Sequence, residues 1–144
     1  MGLVMDILSI FHASGLFVLA LLLGGMGFFA FIMTPLVFTQ LPASTAGSFI
    51  RITFPVYSKV MGGLSLIAAL MIAPKAESVA LLAVFVFFIL AWLILLPRIN
   101  YYRDLQLAGN MQAGKPFNIL HKLSVLINSM QMITAAVVFI RLVN

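Results

Sequence analysis

The chain has 144 residues, of which 64% are hydrophobic and 8% are charged, and its formal net charge is +5. A soluble domain carries roughly a quarter charged residues, so the composition excludes a water-soluble protein and predicts an integral membrane protein. The Lys and Arg residues are scattered at predicted helix ends, without a basic patch that interleaves aromatic residues, which excludes nucleic acid as a partner. The chain has no cysteine, which excludes disulfides, thiolate metal sites and cysteine nucleophiles.

The first predicted membrane span covers residues 5–38. No charged residue occurs between Asp6 and Arg51, and about 20 apolar residues suffice to cross a bilayer. His12 is the titratable group inside this apolar stretch. Pro35 is expected to kink or end the helix near Thr34, and residues 40–48, rich in Ser, Thr, Pro and Gly, are expected to form the first loop.

The second and third predicted spans cover residues 46–73 and 78–104. The second combines an apolar half with a half that carries Arg51, Tyr57 and Lys59, whose cations can reach the head groups along their apolar stems. A tight turn is expected at residues 74–77, and the longest loop at residues 105–115. Small residues let helices approach closely in lipid, so we expect two glycine groups to pack together: Gly24, Gly25 and Gly27 on the first span with Gly62 and Gly63 on the second.

The fourth predicted span, residues 117–140, carries a polar stripe. His121, Ser124, Asn128 and Gln131 follow at steps of three and four, so they share one arc of the helix about 80° wide. Polar groups that face hydrocarbon would lose their hydrogen bonds. The stripe is therefore expected to face other helices, water or a ligand.

Together these spans predict an all-α integral membrane four-helix bundle, formed by one domain over residues 1–144, with both termini on the same outer side. Six basic residues lie beside loops one and three, and two lie on the other side. Because basic residues favour the cytoplasmic side, loops one and three are expected in the cytoplasm, and we expect the protein in a bacterial inner membrane.

At this cytoplasmic end, the third and second spans bring further polar groups to the stripe, namely Arg98, Asn100, Arg103 and Tyr57. A polar pocket at one end of a bundle is the default hypothesis for a binding site in a membrane protein. The alternative is that these side chains satisfy one another and fix the helix register.

The two histidines are candidate ligands for haem or a metal ion. His12 and His121 are expected at depths that differ by about 15 Å across a hydrocarbon core of about 30 Å, which argues against one haem held by both. A haem on a single histidine stays open, as does a copper site that combines His12 with Met5. Standard catalytic motifs and carboxylate pairs are absent from the sequence, so enzyme activity is not predicted.

Several residue blocks carry a family resemblance: Pro35-Leu36-Val37-Phe38, Leu41-Pro42, Ala46-Gly47, Phe54-Pro55-Val56-Tyr57, Pro97-Arg98-Ile99-Asn100 with Arg103-Asp104, and His121-Lys122-Leu123-Ser124 with Asn128. In these blocks, over nearly its whole length, the chain resembles the transmembrane protein 205-like proteins. The resemblance implies a four-helix membrane protein of unsettled activity. More distantly, the layout is similar to the copper-resistance D proteins and the haem-associated membrane protoporphyrinogen oxidase, whose early histidine His12 matches. The chain lacks the tryptophan-rich first helix and the dense basic inner face of that oxidase.

Three functions remain open from the sequence. The first is an accessory, structural or assembly subunit packed among other membrane subunits, or in a homo-oligomer, with lipid around it. The second is a haem- or porphyrin-binding redox protein, with His12 or His121 as axial ligand and Arg98 or Arg103 on the propionates. The third is passage of a small solute or metal along the polar stripe of the fourth span.

Overall fold

The computed structural model describes residues 2–72 and 75–144. These residues form six α-helices: α1 (Gly2–Phe28), α2 (Thr34–Gln40), α3 (Ala43–Met71), α4 (Lys75–Leu90), α5 (Leu96–Leu107) and α6 (Gly114–Val143). Helices α1 and α2 form one continuous rod, and so do α4 and α5. Four stretches are therefore long and apolar enough to cross a membrane: Val4–Gln40, Ala43–Met71, Ala76–Leu107 and Met111–Val143. The predicted all-α four-helix membrane bundle is confirmed.

The four rods close a ring in which α1 packs on α3, α3 on α4, α4 on α6, and α6 on α1. The centre of the ring is apolar, as expected when side chains of all four rods meet without water. Its fully buried members include Leu19 and Leu22 of α1, Ala68 of α3, Leu81 of α4 and Ala135 of α6. This core fills the half of the bundle that contains the first turns of α4 and the last turns of α6.

The connections are shorter than the sequence predicted. The first loop was expected over residues 40–48, but α3 begins at Ala43 because the carbonyl of Pro42 already accepts a hydrogen bond from the N–H of Ala46. The turn expected at residues 74–77 is wrong for residues 75–77, which begin α4. Residues 73 and 74, where the second span was expected to end and the turn to begin, lie outside the described residues. The third connection narrows to a turn at Gly109 (φ +89°) and one 3₁₀ turn, Met111–Ala113.

A π-helical turn joins the two helices of each composite rod, Phe29–Met33 in the first and Ala91–Leu95 in the third. Each is followed two residues later by a proline, Pro35 or Pro97. Proline has no N–H, and its ring collides with the carbonyl four residues earlier, so a wider turn before it relieves the collision. Pro35 was expected to kink or end the helix near Thr34. The helix does not end there, since the rod continues to Gln40.

These wide turns also set which residues face the core. Phe29 and Val37 are both buried although they lie eight residues apart, a spacing that would rotate them about 80° from each other in a regular α-helix. A π turn absorbs about one extra residue, which reduces the rotation to roughly 20°. Ala91 and Ile99 are buried at the same spacing across the second π turn.

The two glycine groups, which were expected to pack together, do not contact each other. A Cβ on Gly25 would come within 2.7 Å of the Met61 methyl of α3, and a Cβ on Gly62 would come within 3.2 Å of Phe88 of α4. These two glycines therefore allow close helix approach, but against large side chains rather than against each other. Gly24 and Gly63 face open space, and the nearest neighbour of Gly27 is Phe31 of its own rod.

Four aromatic rings separate the filled core from the other end of the bundle. Tyr57 of α3 stacks on Phe29, with ring centroids 4.3 Å apart, and meets Phe54 at 5.3 Å and Phe88 at 6.0 Å. Such offset and edge-on pairs are favourable beyond the area that they bury. These four rings, Phe29, Phe54, Tyr57 and Phe88, are called the aromatic floor below. They lie between the filled core and the space enclosed by α2, α3, α5 and α6.

Candidate functional site

A cavity of about 360 Å³ lies on this aromatic floor, at the end of the bundle that carries loops one and three. All four membrane-spanning rods contribute to its wall. The apolar part of the wall comes from Phe29, Ala30, Phe38, Ile50, Phe54, Leu96, Ile99, Phe117 and Val125. The polar part comes from Thr34, Arg51, Asn100, Arg103, His121, Ser124, Asn128 and Ser129, with Gly47 between them. The cavity thus combines a largely hydrocarbon-like surface with a small set of hydrogen-bonding groups.

Arg51 and Asp104 connect α3 to α5 beside the cavity. The two guanidinium nitrogens of Arg51 donate to the two carboxylate oxygens of Asp104 over 2.6 and 3.0 Å. Planar pairing of this kind fixes geometry as well as charge. Both side chains are about half exposed (45% and 50%), so the pair positions the helices more than it stabilises the fold.

Arg103 supplies the cationic group that this ion pair does not neutralise. Its guanidinium lies directly against Gly47 of α3, where an added Cβ would overlap it. Among residues 2–72 and 75–144, the carboxylates within ion-pair distance of a base are those of Asp104, with Arg51, and Glu77, with Arg141. Arg103 therefore lines the cavity without a bonded carboxylate in the described part of the chain.

Asn128 is held in place from below by the aromatic floor. The hydroxyl of the buried Tyr57 donates to the side-chain oxygen of Asn128 over 2.9 Å. This bond uses the amide oxygen and leaves the amide N–H groups of Asn128, which lines the cavity, as donors. Asn100 of α5 lines the cavity as well, so two amides accompany the Arg103 guanidinium.

His121 lines the outer part of the cavity and is exposed. Its ring lies parallel to Phe117, one turn earlier in α6, with centroids 6.0 Å apart and an interplanar angle of 9°. In the described part of the chain, no cluster of three or more His, Cys, Asp or Glu side chains could hold a metal ion.

Four of the candidate residues are not part of the cavity wall. One is Tyr57, which lies beneath the cavity and bonds Asn128. Arg98 is exposed on α5. Gln131, the last member of the polar stripe, is buried and donates its amide to the backbone carbonyl of Val84 over 3.1 Å, so it ties α6 to α4. His12 lies in the first half of α1, towards the opposite end of the bundle from His121. The two histidines therefore do not share the cavity.

A second, smaller cavity lies at the opposite end, between the first turns of α4 and the last turns of α6. It encloses about 260 Å³, and its charged members, Glu77 and Arg141, face each other at 3.6 Å. Because these opposite charges already meet, this cavity offers a ligand less than the first one does.

Sequence reasoning missed the part of the site that depends on how α3 and α5 meet. Gly47 belongs to the Ala46-Gly47 block, but nothing in the neighbouring sequence indicates that the guanidinium of Arg103, 56 positions later in the chain, packs against it. Thr34 was also missed because it is a single hydroxyl in an apolar stretch, and Ser129 was missed because it lies outside the arc of the polar stripe. The Phe-Pro-x-Tyr block was the available signal for the floor, since Phe54 and Tyr57 both belong to it.

Comparison with known proteins identifies the family of the chain but does not indicate a biochemical activity. No curated protein and no solved structure matches the chain. The proposed resemblances to transmembrane protein 205-like and copper-resistance D proteins stay predictions. A family profile described as a domain of unknown function, DUF4149, matches residues 17–107. This match runs from α1 to the end of α5 and includes Gly47, Arg51 and Arg103. Since it covers more than half of the chain, this membrane protein belongs to the DUF4149 family.

Proposed function

We propose that this protein binds an anionic amphipathic small molecule in the cavity between α2, α3, α5 and α6. The observation that carries the proposal is the position of Arg103, a guanidinium that lines an otherwise largely apolar cavity and has no bonded carboxylate among the described residues. A buried or half-buried cation is most stable when an anion accepts its hydrogen bonds.

The charge balance of the wall favours an anion. Two of its lining residues are arginines, and none is Asp or Glu. Asp104, outside the wall, neutralises Arg51, which leaves about one positive charge for a ligand. Asn100, Ser124 and Asn128 add neutral hydrogen-bonding groups that can accompany an acid group.

The apolar wall favours a ligand with a hydrocarbon or aromatic body. Phe29, Phe54, Leu96 and Ile99 face the cavity from three different rods. A small, fully hydrated anion such as inorganic phosphate would leave this surface without a partner, whereas an amphipathic molecule would cover it.

Binding fits the structure better than passage does. Beyond the aromatic floor, the described core is filled by fully buried side chains such as Leu19, Leu22 and Leu81. Close-packed interiors of this kind leave little room for a solute path. A porphyrin with acidic side groups belongs to the proposed ligand class, and His121 lines the same cavity as Arg103. An absorbance scan of the purified protein, with and without added haem, tests this member of the class.

For the cellular role we propose a small accessory protein of a bacterial inner membrane, with the cavity end towards the cytoplasm. Its support is the excess of basic residues at that end and the two-residue connection between α2 and α3, which leaves mainly helix surfaces for contact with partners. Recovery with other membrane subunits after mild detergent extraction supports this role, and recovery solely as a monomer contradicts it.

The binding proposal is tested with dodecyl phosphate titrated into the protein in phosphatidylcholine nanodiscs, with native mass spectrometry as the readout. Arg103→Gln should weaken binding by roughly tenfold or more, because a hydrogen bond to a charged group contributes about 1.5–3 kcal/mol. Arg98→Gln is the matched control, since Arg98 lies on the same helix, is exposed and is not part of the cavity wall. Equal affinity of the parent and Arg103→Gln, or equal binding of uncharged dodecanol, overturns the proposal.

A further inference from the structure

The cavity wall contains residues that also face outwards. Phe38 of α2 and Val125 of α6 both line the cavity, yet 53% of Phe38 and 54% of Val125 is exposed. Both residues lie inside membrane-spanning stretches, Val4–Gln40 and Met111–Val143. By length and composition these stretches can cross a membrane, so we take the outward side of the cavity at these residues to face the bilayer.

The other sides of the cavity are closed by contacts between neighbouring rods. Helix α5 packs along α6. Helices α3 and α5 make at most marginal close contact in the described part of the chain. Side chains bridge them instead, through the Arg51–Asp104 pair and the contact of Arg103 with Gly47. Helix α2 is joined to α3 by Leu41 and Pro42 alone and packs against the first turns of α3.

Between α2 and α6, the described part of the chain shows no side-chain hydrogen bond or ion pair that would form such a bridge. Before the first π turn, α1 packs closely on α6, whereas α2, beyond that turn, makes at most marginal contact with α6 in the described part of the chain. The cavity wall on this side includes Thr34 and Phe38 from α2, and Val125 and Ser129 from α6. The Ser129 hydroxyl donates to the carbonyl of Val125 in its own helix over 2.9 Å, so it can border lipid without an unsatisfied group.

We infer that the ligand is a bilayer lipid with an anionic head group, which reaches the cavity sideways through the opening between α2 and α6. This inference rests on the proposed function and specifies the source of the ligand. The head group accepts hydrogen bonds from Arg103 and the neighbouring amides, while the acyl chain leaves between Phe38 and Val125 and stays in the membrane. A lipid held this way needs no aqueous path, and its chain remains in hydrocarbon throughout.

The experiment uses the full chain in phosphatidylcholine nanodiscs that contain a small fraction of phosphatidylglycerol with a photoactivatable acyl chain. After illumination, peptide mapping measures labelling at Phe38 and Val125 relative to Leu93, an exposed residue outside the cavity wall. We expect labelling at Phe38 and Val125 to exceed that at Leu93 by at least about fivefold. Photoactivatable phosphatidylcholine in the same nanodiscs should label all three residues about equally.

Arg103→Gln should reduce the excess labelling at Phe38 and Val125 to the level of Leu93. Gly47→Ala provides a second variant, because it displaces the Arg103 guanidinium and retains its charge. Equal labelling of the three residues in the parent protein, or an excess unaffected by both variants, overturns the inference. If dodecyl phosphate still binds in an Arg103-dependent way while the lipid shows no excess labelling, the proposed function stands and lateral access from the bilayer fails. If neither probe depends on Arg103, both fail.

Discussion

Replacement of Gly47 by Ala tests the site without removal of any functional group. The new Cβ would overlap the guanidinium of Arg103. Because non-bonded heavy atoms settle at about 3.5 Å or more, the guanidinium must move by about 2 Å. The hydrogen bonds of a guanidinium are lost once donor and acceptor separate beyond about 3.5 Å, so this movement removes its contact with a bound anion.

The expected loss of affinity follows from that contact. Hydrogen bonds to charged groups contribute about 1.5–3 kcal/mol, which corresponds to a loss of roughly 10- to 150-fold in affinity for dodecyl phosphate. Stability should change in the opposite direction. The overlapping atoms belong to the flexible end of a long side chain, and Ala is favoured over Gly inside a helix by up to about 1 kcal/mol. Gly47→Ala should therefore bind more weakly and unfold at the same or a higher temperature.

Gly63→Ala is the control for this experiment. Gly63 lies on the same helix, and a Cβ added there would meet nothing within 4 Å. The control should show the same gain in helix stability with unchanged affinity, as measured by thermal unfolding in detergent and by titration in nanodiscs. The reasoning is refuted if Gly47→Ala binds as tightly as the parent, or if both variants lose affinity equally.

Further predictions concern the wide turns, the core and the ion pair. Deletion of the exposed Ile32 removes the extra residue of the first π turn, whereas deletion of the exposed Leu21 rotates all later residues of the rod by about 100°. The Ile32 deletion should therefore be tolerated far better. Equal loss of folded protein in the two variants would contradict this. The buried Ser58 hydroxyl has no partner in the described part of the chain. Ser58→Ala should therefore raise the free energy of unfolding by up to about 1 kcal/mol, and a clear decrease would contradict this prediction. Asp104→Asn leaves Arg51 without its carboxylate and should tighten dodecyl phosphate binding severalfold at low salt, an effect that added salt weakens; an unchanged or lower affinity speaks against an anion site.

The fold could be predicted because the constraint behind it is simple. Four long stretches with few charges must be helices in a bilayer, since only helices satisfy their own backbone there. The stripe on α6 was also visible in the sequence, because a helical period places His121, Ser124 and Asn128 on one face, and these residues line the cavity. The fourth residue of the stripe, Gln131, lies deeper and bonds the backbone of α4 instead.

The details of the site could not be predicted because they depend on register between helices. Periodicity places Gly47 and Arg103 near the same end of the bundle, but a difference of one turn in either helix would separate them. The pairing of Arg51 with Asp104 rather than Arg103 with Asp104 has the same origin. The π turns escape prediction as well, because a proline indicates strain and does not indicate whether a kink, a break or a wider turn relieves it.

The wide turns fall at the same place in two halves of the chain, since Phe29–Met33 and Ala91–Leu95 are 62 positions apart, as are the two prolines that follow. Each half is thus a helical hairpin whose first rod contains a π turn: α1–α2 with α3, and α4–α5 with α6. Neither hairpin forms the cavity by itself. The first hairpin brings Gly47, and the second brings Arg103, which rests on it. A molecule bound at this junction contacts both hairpins, so ligand binding should stabilise the loop-bearing end of the protein against unfolding.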